Sequence, residues 1–140
     1  MPYRPFEILL VEDSPGDIWL TREILLQGEV PKNITVVTDG EQALESWVAA
    51  ETAGAPYDLV LMDVQMPKLD GIETTKKIRA REAARSLRHT PIIALTANTL
   101  VDDRYACFEA GMDGFLVKPL DRDKLADALA TVSVSGSVAA

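Results

Sequence analysis

Cysteine occurs once in the 140 residues, at Cys107, and histidine once, at His89. A lone cysteine forms no internal disulfide and excludes a zinc site built on clustered thiolates, so a reducing compartment, the cytoplasm, is expected. Basic residues are also scarce: 14 Lys and Arg face 22 Asp and Glu, for a net charge of −8. Phosphate affinity comes from Lys and Arg, so binding to nucleic acid or an anionic membrane is not expected. No apolar run approaches the ~20 residues that a bilayer span needs. The opening "MPYRPFE" lacks the apolar stretch of a signal peptide, and no repeat recurs along the chain.

Apolar residues, at 47%, are plentiful enough for the core of one domain. They fall into five short runs, "FEILLVED" (6–13), "ITVVTD" (34–39), "DLVLMD" (58–63), "PIIALTA" (91–97) and "GFLVKP" (114–119). Rich in Val, Ile and Leu, these read as strands covered on both faces. Helical patterns alternate with them. The first covers 17–27 after a Ser-Pro-Gly-Asp start, with Gly28 at the C-cap position. The second begins at Gly40 and aligns Ala43, Leu44, Trp47 and Val48, and the third runs from Gly71 through Ile72, Thr75 and Ile78. The fourth places Val101, Tyr105, Phe108 and Met112 near one stripe and ends at Gly111. The fifth aligns Leu125, Ala128, Leu129 and Val132. Strict β–α alternation predicts parallel strands and right-handed crossovers, hence an α/β fold: a three-layer α/β/α sandwich with five strands. The small, uncharged "SVSGSVAA" (133–140) reads as a flexible C-terminal tail.

In such sheets ligands sit beyond the carboxyl ends of the strands. The first run ends in Glu12 and Asp13, the third in Asp63, the fourth in Thr96 and the fifth in Lys118. Like charges about 4 Å apart, at an effective dielectric of about 20, repel by roughly 4 kcal/mol per pair. Lys118 offsets part of this, and a hard divalent cation such as Mg2+ offsets more. The competing reading is that Asp13 and Asp63 cap the following helices. Capping leaves Lys118 and Thr96 unexplained.

Four segments, "ILLVEDS", "LVLMDVQMPKLDG", "IIALTA" and "FLVKP", resemble the signatures of the receiver domain of two-component response regulators, over roughly residues 6–132. The resemblance implies a doubly wound, flavodoxin-like parallel sheet of order 2-1-3-4-5 and a receiver domain over residues 1–132. It implies that Asp63 is the phosphoacceptor, taking its phosphoryl group from a histidine kinase or a histidine phosphotransfer protein. Glu12, Asp13, Asp63 and the backbone carbonyl of Gln65 match the Mg2+ site. Lys118 matches the lysine that contacts phosphoryl oxygens, and Thr96 and Phe115 match the switch pair. The domain would be no enzyme in the ordinary sense, but a signalling phosphoacceptor that assists its own phosphorylation and dephosphorylation. Its output would be protein contact through helix four, strand five and helix five, with a homodimer possible there by analogy.

The two halves lean differently. "VEDSPGDIWLTRE" is similar to stand-alone receivers paired with bacterial phytochrome kinases, and "IIALTANTLVDDRYACFEAGMDGFLVKPL" to the receivers of hybrid histidine kinases. Gln65 and Asn98 fall near the expected rim and carry no extra acid or base, which predicts a long-lived phosphoryl group. An aspartyl-phosphate phosphohydrolase would commonly place a second acid where Gln65 stands. A pseudo-receiver would lack Asp13, Asp63 or Lys118. A flavin-binding protein would carry a phosphate-cradling loop after the first strand. Cys107 and His89 read as a packing residue and a solvated loop residue. The basic "KKIRAREAARSLRH" (76–89) reads as a solvated face, and Trp19 as a possible donor contact.

Overall fold

A computed structural model describes residues 5–27, 32–64, 70–96, 101–118 and 122–128, with backbone only for 101–104. The expected alternation is present. The order is β1 (Phe6–Val11), α1 (Pro15–Leu25), β2 (Lys32–Val37), α2 (Gly40–Thr52), β3 (Leu59–Asp63), α3 (Gly71–Arg85), β4 (Ile92–Thr96), α4 (Val101–Ala110) and β5 (Gly114–Val117). A helical segment over 122–128 follows, here α5. The sheet order is β2-β1-β3-β4-β5, and every pairing is parallel. This is the flavodoxin-like 2-1-3-4-5 order.

Side chains alternate across a strand, so each central strand feeds two cores. Leu9, Val11, Val60, Met62, Ile92 and Ala94 pack with Trp47 of α2, Ile78 of α3 and Cys107 of α4. Ile8, Leu10, Leu59, Leu61, Ile93, Leu95 and Leu116 pack with Leu25 of α1 and Leu125 of α5. β3 and β4 are buried along their whole length, which explains their unbroken apolar sequence.

Helix starts are set by side-chain caps. Ser14 accepts from the Asp17 amide ahead of Pro15, Asp39 from Gln42, and Asp70 from Glu73. Ser14 and Asp70, rather than Asp13 and Asp63, therefore cap α1 and α3. α1 starts at Pro15, two residues before the expected start, because Pro is favourable in the first turn. It closes at Leu26, and Gly28 lies outside the described residues. Gly111 does end α4, with φ of 106°.

The expected apolar stripe of α4 needs correction. Tyr105 and Phe108 are 65% and 49% exposed, whereas Cys107, Ala110 and Met112 are buried. The small side chains of Cys107 and Ala110 let α4 lie close to the sheet, which leaves the larger aromatics outside. Leu129, Val132 and the expected tail 133–140 lie outside the described residues.

Candidate functional site

The strand alternation that builds the core also aims the charged groups. Glu12 lies two residues beyond Leu10, Asp63 two beyond Leu61, and Lys118 two beyond Leu116, so all three continue the face packed by α1 and α5. They meet above the start of α1. Lys118 Nζ lies 2.6 Å from Glu12 Oε1, 3.1 Å from Asp17 Oδ2 and 3.3 Å from Asp63 Oδ2. Glu12 Oε1 lacks a well-directed hydrogen bond, so its contact with the ammonium is ionic. Its other oxygen accepts from the amides of Asp13 and Ser14, which folds the β1–α1 loop around the carboxylate.

Glu12 and Asp63 are buried, while Asp13 is exposed at the rim. One carboxylate oxygen from each of the three lies within 4.8 Å of the others. Backbone bonds fix the frame. The Lys118 amide donates to the Thr96 carbonyl at 2.8 Å, and the Val64 amide donates to the Leu95 carbonyl at 3.2 Å. Gly71 packs directly beneath: a Cβ there would stand 2.5 Å from the carbonyl oxygen of Asp63.

Burial pushes the Glu12 carboxyl up to about 7, helped by the neighbouring Asp63 carboxylate and opposed by Lys118. Burial alone would lower Lys118, but Glu12, Asp63 and Asp17 outweigh it and hold the ammonium charged well above its ordinary value. The pocket thus carries more carboxylate than one ammonium can neutralise. Hard oxygen donors with an exposed member at the mouth are a donor set suited to Mg2+.

Thr96 follows Ala94 onto the opposite face, and Phe115 is the strand partner of Ala94, so Thr96 and Phe115 share that face. Phe115 is half-buried and meets Phe108 edge to face, with centroids 6.2 Å apart and planes at 80°. Gln65, Asn98 and Pro119 lie outside the described residues.

Asp17 was missed by the sequence reading. Its signal was its place in the first turn of α1, four residues after Asp13. The basic stretch 76–89 is not simply a solvated face. Arg79 bonds Gly111 O, Glu82 and Asp113, while Arg81 and Arg88 pair with Glu51 and Asp58. His89 is exposed as expected, yet its Nε2 lies 2.6 Å from Asp113 Oδ1. Cys107 is buried packing, and Trp19 on α1 is 65% exposed.

The family model of the response regulator receiver domain matches residues 8–130. The chain belongs to this family. Histidine kinase 1 of Arabidopsis thaliana is 39% identical to the receiver over 82% of this chain, which spans 12% of that kinase's length. The crystallised receiver domain of sensor histidine kinase PA1611 from Pseudomonas aeruginosa, with magnesium coordinated in its active-site cleft, is 41% identical. It superposes with a TM-score of 0.75 over 90% of this chain and 95% of that one. The receiver domain of histidine kinase CKI1 from Arabidopsis thaliana, complexed with Mg2+ and BeF3−, is 29% identical. Its TM-score is 0.78, over 91% of this chain and 89% of that one. This receiver is thus of the kind that histidine-kinase signalling proteins carry. No described helix is long and apolar enough to cross a membrane.

Proposed function

We propose that Asp63 accepts a phosphoryl group from a phosphohistidine, with Mg2+ held by Glu12, Asp13, Asp63 and the carbonyl of Gln65. The observation that carries this reading is the convergence of Glu12, Asp63 and Lys118 at the end of the sheet, with Asp13 at its open mouth. Bound Mg2+ would offset the negative charge of the carboxylates and of the incoming group. An Asp63 carboxylate oxygen attacks phosphorus, the P–N bond of the donor breaks, and the electron pair leaves with the imidazole. Lys118 supplies a fixed cation to a phosphoryl oxygen, and the Thr96 hydroxyl donates to another. Preorganised charge and alignment, rather than covalent help, lower the barrier in this chemistry.

Once Thr96 turns toward the phosphoryl group, it vacates space on the face it shares with Phe115. Phe115 then moves inward and leaves Phe108, altering the α4–β5–α5 surface for a partner or a second copy of the receiver. The donor, a histidine kinase or histidine phosphotransfer protein, docks at the exposed Trp19 and Leu26 on α1. A cytoplasmic setting fits this exchange.

Incubation with Mg2+ and phosphoramidate, followed by intact mass spectrometry, tests the reading. One phosphoryl group is expected with Mg2+ and none with excess chelator. Equal incorporation in both would remove the metal from the account.

A further inference from the structure

Among the described residues, Asp17 is the one acid at the pocket without a part in the proposed transfer. It stands in the first turn of α1, where its Oδ2 accepts a hydrogen bond from Lys118 Nζ at 3.1 Å. Glu12 Oε1 and Asp63 Oδ2 lie 2.6 and 3.3 Å from the same nitrogen. An ammonium has three N–H donors, and three carboxylates already surround it. Two of these donors bond Asp17 and Asp63 and the third faces Glu12 in an ionic contact, so a phosphoryl oxygen that bonds Lys118 competes with one of the three.

The three differ in freedom to leave. Glu12 is fully buried, and Asp63 is fixed at the end of β3 and is the group being modified. Asp17 has a side chain 41% exposed and can turn into water at little cost. We propose that Asp17 is a latch on Lys118. It holds the ammonium while Asp63 is unmodified and is the partner that the phosphoryl oxygen displaces. This rests on the assignment of Asp63 as acceptor.

An interaction made before transfer and lost during it stabilises only the starting state, so it slows the step. Asp17 is then a positioning residue whose removal speeds phosphorylation, and the gain depends on Lys118. The test measures the initial rate of phosphoryl uptake from phosphoramidate with Mg2+ by intact mass. The proteins are the parent, Asp17→Asn and Asp17→Ala, and the same substitutions combined with Lys118→Ala.

Both Asp17 variants are expected to react about two- to fivefold faster than the parent, the scale of a half-exposed ion pair. In the Lys118→Ala background the two substitutions should change nothing, which separates a latch from a general loss of negative charge. Slower or unchanged rates overturn the latch, as does equal acceleration in both backgrounds. In those cases the parent still takes up its phosphoryl group and the assignment of Asp63 stands. A parent that takes up none overturns both.

Discussion

At the residue scale, Glu12 carries the clearest pH dependence. The folded, metal-free chain keeps its proton to about pH 7, whereas the ordinary value is 4.5. Between pH 4.5 and 7 the unfolded chain has released that proton and the folded chain has not. Glu12 therefore subtracts stability as pH rises through this window, and the loss levels off above it, for a total on the order of 3 kcal/mol. Urea melts in chelator across this range should show the decline relative to Glu12→Gln. A difference that grows in the opposite direction contradicts the assignment. Gly71 makes a second prediction. Alanine there places a Cβ 2.5 Å from Asp63 O and 3.0 Å from Val64 Cα, and neither backbone atom can swing away. Gly71→Ala should cost about 1–3 kcal/mol, as overpacking does, and lower the melting temperature. It should also slow phosphorylation, because the strand end that carries Asp63 must shift.

At the element scale, polar bonds at the opposite end of the sheet tie the helices together. Arg79 of α3 donates through Nε to Gly111 O at 2.9 Å and pairs with Glu82 and Asp113 at 2.8 and 3.0 Å. Glu82 accepts from the Thr90 amide, and Thr90 Oγ1 accepts from Trp47 Nε1 of α2. Arg79→Met should leave the buried Glu82 carboxylate without its cation and cost about 3 kcal/mol in urea unfolding. A loss within a few tenths of a kcal/mol, the scale of an exposed pair, contradicts the structural role. This network was not legible in the sequence, because "KKIRAREAARSLRH" shows only that charge is present. Its partners, Glu51, Asp58 and Asp113, are distant in the chain. The five strands and the pocket were legible because each buried run stops at a polar residue and parallel topology brings those ends to one edge. The aromatics of α4 were misplaced because helical spacing defines a stripe without saying which stripe meets the sheet. Asp17 escaped notice because an acid in a first helical turn is ordinary.

At the scale of the whole molecule, the sheet brings Glu12, Asp63 and Lys118 from three strand ends to one pocket, and the first turn of α1 adds Asp17. Negative charge concentrated there, in a chain of net charge −8, creates the demand for a cation. The most direct check on the account is the mass gained after treatment with phosphoramidate and Mg2+, compared between the parent and Asp63→Asn. The parent should gain about 80 Da, one phosphoryl group, in the transfer chemistry invoked here, and Asp63→Asn should gain nothing. The same adduct on Asp63→Asn would contradict it.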